Sequence, residues 1–143
     1  MFNHILVVCV GNICRSPTGE HLLKLFMPHK VVDSAGVGAL VGMPADKTAL
    51  EVANEYGVDL SDHIAKQLTP QLCQNYDLIL VMERGHINAV TNIAPEARGK
   101  TMLLSEWIEK KDIPDPYRQS KEAFYHAYEL IEKSCRAWSN KLV

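Results

Sequence analysis

The chain predicts an α/β fold: a single doubly wound sheet of four parallel strands with helices on both faces. Four short apolar runs without helical period, at residues 5–10, 30–34, 77–82 and 100–104, suit strands buried on both faces. Helical patterns alternate with them, and strands joined by helical crossovers lie parallel with right-handed connections. With 143 residues, 47% apolar and 22% charged, the composition is near the globular average, so residues 1–143 read as one domain with a core of its own.

In chain order, the first run leads to a helix that opens at Ser16 and Pro17, residue types favoured at helix starts. Leu22, Leu23, Leu25 and Phe26 form its apolar face. After the second run, Ala49, Leu50, Val52, Ala53 and Tyr56 mark another helical face, which stops at Gly57. The longest helix spans 121–141, where Phe124, Ala127, Tyr128, Ile131, Cys135, Trp138 and Leu142 recur at spacings of three and four. Residues 112–119, with Pro114 and Pro116, form the long irregular stretch near the end. In such sheets ligands bind beyond the carboxyl ends of the strands, which points to residues 9–16.

The formal charge is −2, so no global field recruits nucleic acid or an acidic membrane, and any anion needs a local device. Residues 5–8 are too short for a signal-peptide core, and no run approaches the roughly 20 residues of a membrane span, so a cytoplasmic protein without membrane insertion is expected. Of four cysteines, Cys9 and Cys14 share one short segment, which suggests catalytic thiols in a reducing compartment. His4, His21, His29, His63, His86 and His126 show no close pairing, and Cys9 and Cys14 lack a second ligand pair, so neither a metal nor a cofactor is expected.

Residues 5–17 read as a strand, a tight loop and a helix start. The amides of Val10, Gly11, Asn12, Ile13, Cys14, Arg15 and Ser16 then converge on one point. A helix N-terminus carries roughly half a positive charge, and a loop of inward amides makes a nest for a phosphate dianion. Gly11 permits the turn and Asn12 tolerates a left-handed backbone. Cys9 faces this field at the strand end, which favours its thiolate. Arg15 can fold back over the cradle, where its planar fork matches two phosphate oxygens.

Cys, five residues, Arg, Ser, within VCVGNICRSP near the start and with DPY near the end, resembles the low-molecular-weight protein-tyrosine phosphatase family over essentially the whole chain, including DSAG at 33–36. Residues 2–20 and 33–42 are most similar to bacterial enzymes paired with membrane tyrosine kinases of capsule and exopolysaccharide export. The resemblance implies a flavodoxin-like fold and a phosphotyrosine protein substrate, here the tail of such an autokinase. It also implies that Ser34 and His63 hold Asn12 in a strained conformation. The plainer alternatives are a strand cap for Ser34 and an exposed polar residue for His63.

A thiolate attacking phosphorus expels an oxygen that needs a proton. Asp115 is the candidate acid, because Pro114 and Pro116 stiffen its backbone in a loop able to overhang the cradle, and the family's DPY motif carries the acid there. Ile13, Leu40 and Tyr117 would wall a slot deep enough to favour phosphotyrosine over phosphoserine. Related phosphoarginine phosphatases carry Thr where Ile13 stands, which argues against that activity. Cys14 is either loop packing or a resolving partner for oxidised Cys9, as the resemblance suggests. Cys73 and Cys135 fall in helical apolar patterns and read as core. Glu109, Lys110, Lys111 and Asp112 read as a solvated face. Two competing functions are weaker. Arsenate reduction needs two further redox cysteines near the third strand, where Cys73 stands alone. A noncatalytic phosphopeptide-binding module would lack the acid. A nucleotide P-loop is also a poor fit, since its Gly-Lys-Ser/Thr ending is missing.

Overall fold

Strand β1 (His4–Cys9) runs through the middle of the molecule, with β2 (Val31–Gly36) on one side and β3 (Leu78–Val81) and β4 (Thr101–Leu103) on the other. The computed structural model describes residues 2–142. All three strand pairings are parallel, in register Val7 with Ser34, Val7 with Leu80 and Leu80 with Met102. The order 2-1-3-4 is that of the first four strands of a flavodoxin-like sheet, as expected.

Alternation along the strands splits the core in two. Ile5, Val7 and Cys9 with Leu78, Leu80 and Met82 face one cluster; Leu6 and Val8 with Ile79 and Val81 face the other. Helices α1 (Arg15–Phe26), α2 (Lys47–Glu55) and α5 (Lys121–Lys141) contribute to the first cluster, while α3 (Pro70–Gln74) and α4 (Arg84–Ile93) contribute to the second. Helix α5 buries Phe124, Ala127, Tyr128, Ile131, Cys135 and Trp138, the stripe that the spacing predicts, mainly against α1 and α2; Trp138 Nε1 reaches the sheet, donating to Leu103 O at 3.3 Å, and Leu142 packs at the edge of the cluster. Helix α2 ends where Gly57 adopts φ 79, and Tyr56 stacks on Tyr128 at 4.2 Å. Leu25 departs from expectation: it is 64% exposed, because the buried arc of α1 runs through Leu22 and Leu23.

The chain leaves β1 toward β2 and later returns to β1's other side for β3. This reversal opens a crevice at the carboxyl end of β1, where Cys9 stands. Among the described residues, no helix is long and apolar enough to cross a membrane.

Candidate active site

The loop after β1 is held from outside by its carbonyls. Cys9 O accepts from Val37 N, Val10 O from Gly38 N, and Gly11 O from Leu40 N, each at 3.0 Å, while Ile13 O accepts from Asp46 N at 2.8 Å. His63 Nε2 lies 2.5 Å from Asn12 O. Because a trans peptide sets its N–H opposite its carbonyl, outward carbonyls from 9 to 13 turn the following amides inward. The cradle is therefore made by partners on the loops around it.

Asn12 sits at its apex with φ 59 and is wholly buried. Its amide nitrogen donates to Ser16 Oγ at 2.7 Å and Ser34 Oγ at 3.0 Å, and its Oδ1 accepts from Lys66 N at 2.9 Å. Ser34 Oγ in turn donates to Glu20 Oε1 at 2.5 Å. The structure thus brings Asn12, Ser34 and His63 together, and His63 is buried. Burial holds the His63 pKa below its ordinary value, against the hydrogen bond to Asn12 and the Glu20 carboxylate. A neutral His63 then carries its proton on Nε2 to donate to Asn12 O. Glu20 and Lys66 were not read from the sequence.

Ser16 does not open the helix. Helix α1 begins at Arg15 after Cys14, with no side-chain cap. Ser16 Oγ lies instead 2.9 Å from Cys9 Sγ. Since that oxygen already accepts from Asn12, its own proton is free to point at the sulfur. The uncapped helix start leaves its amides to an anion.

Arg15 is 2% exposed, and one guanidinium nitrogen is fully engaged: Nη1 donates to Glu83 Oε2 at 2.5 Å and to Ile113 O at 2.7 Å. Nη2 lies 3.7 Å from Asp115 Oδ2. A cavity of about 190 Å³ gathers Cys9, Arg15 and Asp115 with Ile13, Leu40 and Tyr117. Val10, Gly11 and Cys14 also line it, whereas Asn12 and Ser16 are buried behind it. The Arg118 guanidinium lies 5.1 Å from the Tyr117 ring centroid. Next to Glu83, His86 is buried with Nδ1 unpartnered among the described residues, and burial, then Arg15, lowers its pKa. Glu83 and His86 escaped the sequence reading.

Cys14 is buried in the core beneath the cavity, and burial, then Asp46, pushes its thiol pKa up. Cys73 and Cys135 are core residues as expected, Cys73 lying on the face of the sheet opposite Cys9. Asp112 is not merely solvated: its Oδ1 accepts from Arg84 N at 2.9 Å.

A thiol, a guanidinium and a carboxyl around one anion cradle, at the end of the first strand of a parallel sheet, fit the class of cysteine-dependent phosphatases. The family model described as low molecular weight phosphotyrosine protein phosphatase matches residues 4–143, and the chain belongs to that family of enzymes. Wzb of Vibrio vulnificus, solved in complex with benzylphosphonate, is 62% identical with a TM-score of 0.98, over 99% of this chain and 100% of that one. Wzb of Escherichia coli K30, solved in complex with sulphate, is 52% identical with a TM-score of 0.98, over 100% of both chains. The low molecular weight protein-tyrosine-phosphatase Etp of Escherichia coli K12 is 55% identical over 99% of this chain and 95% of its own length.

Proposed function

We propose that this phosphatase hydrolyses phosphotyrosine in proteins through a phosphocysteine on Cys9, with Arg15 binding the phosphoryl group and Asp115 as general acid and base. The observation that carries the reading is that one cavity gathers these three side chains from opposite ends of the chain. With Nη1 engaged by Glu83 and Ile113, the Nε and Nη2 edge of Arg15 is the one left for two phosphate oxygens. The Cys9 thiolate attacks phosphorus; the S–P bond forms as the P–O bond to the phenol breaks, and Asp115 gives its proton to the departing oxygen. Asp115 then takes a proton from water, whose oxygen attacks phosphorus and releases inorganic phosphate and the thiolate. The Ser16 hydroxyl, 2.9 Å from the sulfur, stabilises that thiolate as it leaves. Every step uses groups of the chain and water, without metal or cofactor.

Ile13, Leu40 and Tyr117 give the cavity apolar walls suited to an aryl ring, which favours phosphotyrosine over phosphoserine. The proposal extends to a cytoplasmic enzyme acting on the tyrosine-rich tail of a membrane kinase of polysaccharide export. Its support is the resemblance of residues 2–20 and 33–42 to bacterial enzymes of that type.

The test compares phosphate release from phosphotyrosine, phosphoserine and phosphoarginine forms of one peptide, with Cys9→Ser as blank. Release from phosphotyrosine alone, abolished by Cys9→Ser, is expected; turnover by Cys9→Ser would remove the covalent step. For the partner, failure to strip phosphate from a membrane tyrosine kinase of polysaccharide export of the same organism, while other phosphotyrosine proteins are accepted, would remove that assignment.

A further inference from the structure

We propose that Asp112 is a positioning residue for the general acid; the proposal rests on the assignment of Asp115 as that acid. Each residue from 110 to 113 is fastened to its surroundings. Lys110 N donates to Ser105 O at 3.1 Å, and Arg84 Nη2 donates to Lys110 O at 3.0 Å. Lys111 O accepts from Ser105 Oγ at 2.5 Å, and Asp112 Oδ1 accepts from Arg84 N at 2.9 Å. Ile113 N donates to Met82 O at 2.9 Å, and Ile113 O accepts from Arg15 Nη1 at 2.7 Å. The same tethers hold Lys110 at φ 53, a backbone conformation that costs energy for a residue with a side chain.

Beyond Ile113 the hydrogen bonds to other segments stop, and the next anchor is apolar: Pro116, on the far side of the acid, is buried beside α2 and α5. Asp115 Oδ1 accepts from Tyr117 N within its own loop, at 3.1 Å, and Oδ2 stands 3.7 Å from Arg15. Pro114 fixes φ between the last tethered residue and the acid, so the placement of residues 110–113 is passed to the Asp115 carboxyl. Asp112 makes the one tether among these that uses a side chain of the loop itself.

An exchange of partners explains why the bond is there. Glu83 occupies the N-cap position of α4 yet makes no side-chain cap, because its carboxylate holds Arg15. The first amide of α4 is left over, and Asp112 takes it, a carboxylate at the positive end of a helix dipole. Through adjacent residues, the turn from β3 into α4 thus fastens both the phosphate-binding arginine, by Glu83, and the acid loop, by Arg84.

The experiment measures kcat/KM, which covers events up to departure of the leaving oxygen, on two aryl phosphates. Phenyl phosphate needs its leaving oxygen protonated; 2,4-dinitrophenyl phosphate does not. Asp112→Ala is expected to lose about tenfold on phenyl phosphate, part of the 10²–10⁴ that a general acid supplies, and under about twofold on the dinitrophenyl ester. Asp112→Asn keeps an oxygen to accept from Arg84 N and should recover most of the loss. Arg84→Pro deletes the same bond from the helix side, at a first-turn position where proline is favoured, together with the side-chain bond to Lys110 O, and should show a selective loss at least as large. Added to Asp115→Ala, Asp112→Ala should cost nothing more, since its effect passes through the acid. Equal losses on both esters, a full further loss in the Asp115→Ala background, or no loss in either Asp112→Ala or Arg84→Pro would overturn the proposal while leaving the acid assignment standing. If Asp115→Ala itself loses equally on both esters, the acid assignment falls and this proposal with it.

Discussion

Arg15 shows how a buried charge is made to serve one purpose. Burying a guanidinium is unfavourable unless it is paired and hydrogen-bonded, and both conditions are met on one nitrogen, by Glu83 and the Ile113 carbonyl. The free edge is thereby oriented before any anion arrives. Glu83→Ala should weaken inhibition by inorganic phosphate and raise KM more than it lowers kcat, whereas Glu83→Gln, which still accepts a hydrogen bond, should lose less. Glu83 is 33% exposed, so water replaces part of the pairing, and the fall in unfolding free energy should stay below the roughly 3–5 kcal/mol of a fully buried broken pair. Unchanged phosphate inhibition in Glu83→Ala would contradict this role. Cys9 and Arg15 are legible as candidates from residue type and local spacing, and Asp115 from its flanking prolines and the DPY resemblance. Glu83 is not, because it lies 68 positions from Arg15 and nothing in its own neighbourhood marks it.

At the scale of elements, the phosphate loop is shaped by the end of β2. A Cβ on Gly36 would lie 2.3 Å from Val10 O and 3.1 Å from Asn12 Cβ, so the strand end is bare to let the loop approach. Gly36→Ala should push the loop out of place, costing about 1–3 kcal/mol in denaturant unfolding and weakening phosphate binding. An alanine variant with unchanged phosphate affinity would show that the loop tolerates displacement. Strand positions were readable to within about two residues, since apolar runs buried on both faces have no alternative use. Helix α3 shows in the sequence only as the helical apolar pattern around Cys73, and α4 does not enter the reading, although His86, Ile87, Val90 and Ile93 recur there at helical spacing. The position of Ser16 was misjudged for a physical reason: local propensity favours it as a helix cap, but here the helix end is reserved for an anion and the hydroxyl turns to Cys9.

Across the whole molecule, two buried imidazoles couple the site to pH. Burial lowers the pKa of both His63 and His86 from the ordinary 6.5. As pH falls through that value the unfolded chain takes up protons before the folded one. Their contribution is therefore complete above about 6.5 and is lost progressively below it. Unfolding free energy measured from pH 7 to pH 5 should fall, and a chain carrying His63→Gln and His86→Gln should show a shallower slope; equal slopes would mean that these histidines do not set it.

From residue type and near-neighbour spacing alone the chain already shows its alternating strands and helices and a candidate anion cradle with Cys9 and Arg15 after the first strand, while Asp115 is a candidate through its prolines and the DPY resemblance. What holds these groups in place emerges from the folded chain: Glu20 behind Ser34, Glu83 on Arg15, Asp112 on α4, and the outward carbonyls that turn the cradle's amides inward. These are contacts between segments distant along the chain. A carboxylate that positions an arginine has the same local appearance as one that faces water, and only packing tells them apart.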